Sequence, residues 1–178
     1  HCDGPFFAGK RVAVVGGGNS GVEAAIDLAG PAREVILVEY LDRLKADDVL
    51  GDRLKSLPNI SFVLNARITR IANDGERVTG LAWIDRTTEQ PRTADLEGVF
   101  IQIGLMPNSQ FVRDRIELTP HGEIIVDGQN RTTRPGLYAA GDVTTIPYKQ
   151  IVTAIGDGAK AALSAFHDLK LKGERHGA

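Results

Sequence analysis

The chain has 178 residues, 42% of them apolar and 25% charged, with a formal net charge of −2. That length holds one domain, or one domain and part of another, and the weak charge offers no electrostatic footprint for nucleic acid or an anionic membrane surface. No apolar run approaches the roughly 20 residues that span a bilayer, and the single cysteine, Cys2, cannot staple the fold internally, which favours a cytoplasmic setting over a secreted one.

The chain opens on His1-Cys2-Asp3-Gly4-Pro5. Lys10-Arg11 then leads into an apolar run, Val12 to Val15, that reads as a strand. Gly16-Gly17-Gly18-Asn19-Ser20-Gly21 follows at once, and a helix is predicted from about Asn19 to Ala29. Val22, Ala25, Ile26 and Ala29 share one face of it, and Gly30-Pro31 stops it. A second strand, Val35 to Val38, ends at Glu39. Strand, glycine turn, helix, strand and acid stand in the order of a dinucleotide-binding fingerprint, with the acid near the expected ~20-residue spacing.

Each part of the fingerprint has a physical task. Gly16 permits the tight turn, Gly18 lets backbone approach a pyrophosphate, and Gly21 lets the helix pack closely on the strand. The helix N-terminus offers N–H groups and positive potential to phosphates, and Ser20 adds a hydroxyl. A carboxylate at Glu39 accepts hydrogen bonds from ribose hydroxyls and repels a 2′-phosphate, which predicts NADH over NADPH. Arg43 is the nearby residue that opposes this, and Asp42 and Glu39 offset it.

A short helix is predicted over Asp47–Ser56, broken by Pro58-Asn59, and a third strand over Ile60–Asn65. Ile68–Ala72, Val78–Asp85 and about Arg92–Leu96 read as a three-stranded meander. Val99–Ile103 suits a buried parallel strand, ending at Gly104, where a glycine permits close ligand approach. Beyond a connector, strands are predicted at Glu123–Asp127 and Leu137–Ala140, the latter ending in Gly141-Asp142. A long amphipathic helix follows, about Thr153–Leu171, with Ile155, Ala159, Ala162, Phe166 and Leu169 as its apolar face. Two strands and one helix do not bury that face, so another segment of a longer protein is expected to complete it. No metal site is predicted.

Five motifs in order carry a resemblance: Cys-Asp-Gly-Pro at 2–5, Gly-Gly-Gly-Asn-Ser-Gly-Val-Glu-Ala-Ala at 16–25, Gly-Leu-Met-Pro-Asn at 104–108, Ala-Ala-Gly-Asp at 139–142 and Tyr-Lys-Gln at 148–150. Over essentially its whole length the chain resembles thioredoxin-reductase-like pyridine nucleotide-disulfide oxidoreductases. Among them it most resembles the flavoprotein subunits of the bacterial alkyl hydroperoxide reductase system. The resemblance implies an α/β architecture: a Rossmann-like nicotinamide-binding domain with an inserted β-meander, plus the C-terminal part of a split FAD-binding domain. The expected boundaries are a redox-motif remnant and linker at 1–8, an NAD(H)-binding domain at 9–106 and a C-terminal FAD-domain segment at 107–178.

The resemblance also implies roles. Cys2 is the flavin-facing member of a Cys-x-x-Cys pair, and Asp3 is its acid/base neighbour. Gly141 and Asp142 belong to the FAD site, with Asp142 hydrogen-bonding the ribityl chain, and Lys149, Gln150 and Ile151 lie along the flavin and the helix N-terminus. Electrons would pass from NADH through FAD and the cysteine pair to a thioredoxin-like module and a peroxiredoxin, in a protein that forms homodimers. The partner cysteine, the first half of the FAD domain and its glycine fingerprint are not in the sequence. The chain is therefore expected to be a C-terminal piece cut within the redox motif. It is expected to bind NADH weakly to moderately, to hold FAD poorly and to have little reductase activity alone. Two alternatives stand beside this: a free-standing NAD-binding module without redox chemistry, and the ferredoxin–NADP reductase branch, which Cys2-Asp3-Gly4-Pro5 opposes.

Overall fold

The computed structural model describes residues 3–175, with side chains through residue 171. The chain divides into two compact units, with the division between Gly104 and Leu105.

The first unit begins with a single 3-10 turn, Gly4–Phe7, and then builds a four-stranded parallel sheet. Its strands are β1 (Arg11–Val15), β2 (Glu34–Val38), β3 (Ile60–Val63) and β7 (Gly98–Ile101), in the order β3-β2-β1-β7. Helix α1 (Asn19–Ala29) crosses from β1 to β2, and α2 (Asp48–Lys55) precedes β3. The strand order reverses beside β1, which puts the glycine turn at a switch point of the sheet. Near-continuous apolar runs such as Val12–Val14 and Val35–Val38 make this sheet, because both of its faces are covered.

One face carries α1. Gly21, Val22, Ala24, Ala25 and Leu28 are its buried residues, so the buried face is centred one position away from the predicted Val22–Ala29 stripe. The other face carries an antiparallel sheet of β4 (Ala66–Asn73), β5 (Val78–Asp85) and β6 (Gln90–Asp95). Leu81 and Trp83 of β5, with Leu96 just after β6, pack with Ala13, Ile36 and Val38. The expected strand Val99–Ile103 is shorter and less buried than its sequence suggested. It stops at Ile101, which is 56% exposed, because β7 is an edge strand paired only to β1.

The second unit contains a 3-10 turn at Gln110–Val112 and one long helix, α3 (Ile151–Arg175). The strands expected at Glu123–Asp127 and Leu137–Ala140 do not form. Isolated bridges take their place: Leu118 with Ile124, Ile124 with Thr144, Val126 with Thr132, and Arg131 with Tyr138. Side chains hold this irregular backbone. Buried Asn130 takes a left-handed φ of 62° and donates to the Ala139 carbonyl at 2.9 Å, and buried Thr144 donates to the Gly141 carbonyl at 2.8 Å.

Helix α3 buries Asp157 and Ser164 and leaves the predicted apolar stripe outward. Ile155, Phe166 and Leu169 are each about two-thirds exposed. No helix among the described residues is long and apolar enough to cross a membrane.

Candidate functional site

The glycine turn is built by three different constraints. Gly16 has φ +119°, and a Cβ on it would lie 2.3 Å from the Gln102 carbonyl oxygen. Only glycine fits there, for both reasons. A Cβ on Gly21 would lie 1.8 Å from the Gly16 carbonyl oxygen, so the third glycine lets the first turn of α1 sit on the glycine turn itself rather than on the strand. Gly18 differs from both: it caps α1 with φ −82°, and a Cβ there would meet nothing within 4 Å. The fold therefore does not demand a glycine at 18. The open space above it, beside the N–H groups that begin α1, is where a phosphate has room.

Glu39 reaches back to this turn. One carboxylate oxygen accepts the Gly17 N–H at 2.5 Å, and the other accepts the Leu41 N–H at 2.9 Å. The half-buried acid thus fixes the glycine turn and its own loop together. Each oxygen keeps a further lone pair for a hydroxyl donor. Asn19 is spent differently than its place in the motif suggests. Its side chain exchanges two hydrogen bonds with Asp47, at 3.0 and 2.9 Å, tying α1 to the loop before α2. Ser20 is exposed at the start of α1. Arg43 is exposed and lies 3.9 Å from Asp42.

Gly104 has φ +98° and open space around it. Asp3 is exposed, and its carbonyl accepts the Phe6 N–H at 3.0 Å. Cys2 lies outside the described residues.

In the second unit, a cavity of about 380 Å³ is lined by residues including Met106, His121, Glu123, Asp142 and Lys149. Gly141, at φ +76°, allows α3 to come close, since a Cβ on it would lie 3.1 Å from that of Ala154. Asp142 is exposed at the cavity. Lys149 is mostly buried, pairs with Glu123 at 2.9 Å and donates to the Thr144 carbonyl. The Gln150 carbonyl accepts the Ala154 N–H at 2.9 Å, and Ile151, which opens α3, is 82% exposed. Glu123 escaped the sequence reading because it stood in a predicted strand. A Glu–Lys pair 26 positions apart leaves no local trace.

A second cluster also escaped it. Arg131 grips Asp168 with two hydrogen bonds of 2.8 Å, and the Tyr138 hydroxyl donates to the same carboxylate at 2.6 Å. The Arg131 guanidinium, and then the Tyr138 hydroxyl, hold the Asp168 carboxyl well below its ordinary value. Asp168 in turn raises the Arg131 guanidinium and the Tyr138 phenol.

Comparisons place this architecture among known proteins. An alkyl hydroperoxide reductase subunit from Pseudomonas putida is 57% identical over 169 residues, and its counterpart of the same name from Escherichia coli K12 is 54% identical over 166. These matches cover 95% and 93% of this chain but 32% of each relative, so the chain spans about a third of their length. A solved thioredoxin reductase from Streptococcus pyogenes superposes with a TM-score of 0.81 at 36% identity, covering 94% of this chain and 55% of that one. One from Giardia duodenalis gives 0.75 at 30% identity, with the same coverage. The family model for pyridine nucleotide-disulphide oxidoreductases matches residues 3–158. With its glycine turn at the switch point of a parallel sheet, the chain belongs to the pyridine nucleotide-disulphide oxidoreductase family.

Proposed function

We propose that the chain is the nicotinamide-binding part, with a share of the flavin-binding part, of an NADH-dependent flavin disulfide reductase that serves a peroxiredoxin. The observation that carries the nicotinamide assignment is the contrast among the glycines. Gly16 and Gly21 are required by packing, whereas Gly18 is open, as a backbone that must admit a pyrophosphate would be. Gly16, Gly18, Ser20 and Gly21 would form the phosphate cradle, with Asn19 fixing it through Asp47. Glu39 would accept the adenosine ribose hydroxyls through its remaining lone pairs. Gly104 would leave room for the nicotinamide end.

For the flavin, the second unit supplies a fitting but partial set. Asp142 would accept from the ribityl hydroxyls, and Lys149, held by Glu123, would set a positive charge beside the ring. Gly141, Gln150 and Ile151 would bring the start of α3 up to the flavin. Bound FAD would carry electrons between the nicotinamide and the disulfide. Cys2 would be one of the two redox cysteines, with Asp3 holding or moving the proton beside it. The rest of the parent protein would supply the other cysteine, the remaining flavin contacts and a thioredoxin-like module, within a homodimer working in the cytoplasm.

Glu39→Ala tests the nicotinamide half. NADH binding should weaken by about 1.5–3 kcal/mol, the range for hydrogen bonds to a charged group. Unchanged NADH affinity in the folded variant would remove Glu39 from the site.

A further inference from the structure

The loop that carries Glu39 has a second anchor, outside the glycine turn. Arg86 lies on the turn between β5 and β6. Its Nη1 donates to the Tyr40 carbonyl at 2.9 Å, and its guanidinium sits 3.9 Å from the centre of the Tyr40 ring. The Arg86 N–H donates to the Asn65 carbonyl at 2.7 Å, and the Asn65 N–H donates to the Leu41 carbonyl at 2.8 Å. Residues 40 and 41, directly after Glu39, are thus gripped by residues 65 and 86.

The turn that presents Arg86 is itself fixed. The Asp85 carboxylate accepts N–H groups from Thr87 and Thr88 at 2.9 and 3.2 Å, and those backbone donors hold it below its ordinary pKa. Tyr40 is 50% exposed, so core burial does not hold its ring. The guanidinium does, by cation–π stacking.

We propose that Arg86 is a positioning residue for dinucleotide selection. It clamps Tyr40 so that the Leu41 N–H stays where the Glu39 carboxylate caps it, and the acid stays aimed at the ribose. The inference rests on Glu39 as the selecting acid. Arginine suits the task because its planar fork stacks and donates at once. The meander is then more than a cover for the sheet, since its β5–β6 turn reaches the specificity loop.

The test is a titration of the 178-residue chain with NADH and with NADPH, for wild type, Arg86→Ala, Arg86→Lys and Tyr40→Leu. Arg86→Ala should narrow the NADH-over-NADPH preference by about two- to fivefold, the scale of an exposed cation–π contact. Arg86→Lys should retain more of the preference than Arg86→Ala, and Tyr40→Leu should lose part of it. Amide exchange gives a second readout. The Leu41 N–H should lose protection in Arg86→Ala, while Val14 and Leu37 in the sheet keep theirs, which also reports that the variant is folded. A wild-type preference that survives unchanged in Arg86→Ala overturns the inference. So does an equal loss of affinity for both dinucleotides. Wild-type protein that does not distinguish them overturns the role of Glu39, and the inference with it.

Discussion

Gly18 and Gly21 belong to one motif yet predict opposite phenotypes. A methyl group at 21 would be driven into the Gly16 carbonyl, so Gly21→Ala should destabilise the first unit by about 1–3 kcal/mol, the cost of overpacking. A methyl group at 18 meets only open space. Gly18→Ala should cost no more than about 1 kcal/mol of stability, the typical loss when a favoured N-cap residue becomes alanine. It should still weaken NADH binding by about tenfold or more, ~1.4 kcal/mol. Thermal melts and NADH titrations on the two variants check both halves of this contrast. Glu39 has a double task of the same kind. Glutamine has one carbonyl oxygen where glutamate has two carboxylate oxygens, so Glu39→Gln should leave the Gly17 or the Leu41 N–H without its acceptor. Loosened exchange at one of these amides, beside weaker NADH binding, is the expected result.

Among the secondary-structure elements, α3 depends on a brace rather than on a sheet. Asp168 near its C-terminal end is tied to Arg131 and Tyr138, in a stretch held by bridges rather than strands. The folded Asp168 carboxyl sits below its ordinary value of 3.8, so its contribution is present above that value and lost as pH falls through the folded one. Asp168→Asn should therefore lower the thermal midpoint at neutral pH, and wild type and variant should converge in acid. A constant gap across that range would contradict the brace.

The brace also shows where sequence reading stops. The β1–turn–α1–β2 unit was legible because apolar periodicity, turn glycines and a terminal acid are local signals. Arg131 with Asp168, Lys149 with Glu123, and Arg86 with Tyr40 are long-range pairs of ordinary surface residue types, and no period marks them. The runs Glu123–Asp127 and Leu137–Ala140 looked like strands from composition, but each forms only single bridges.

Across the chain as a whole, the outward stripe of α3 matters most. Ile151, Val152, Ile155, Leu163, Phe166 and Leu169 are all at least 67% exposed on one helix. Large contiguous apolar patches mark surfaces that another surface covers, in keeping with a chain that spans about a third of its relatives. The isolated chain should bind a hydrophobic dye strongly and should elute from gel filtration without flavin absorbance. Material that stays yellow would show that the second unit holds FAD by itself.

The assignment of the glycine turn and Glu39 to NADH stands or falls on a titration of the wild-type chain with NADH and NADPH, side by side in one buffer. Saturable NADH binding at clearly lower concentration than NADPH is the expected result. Equal affinities, or tighter binding of NADPH, would contradict the assignment.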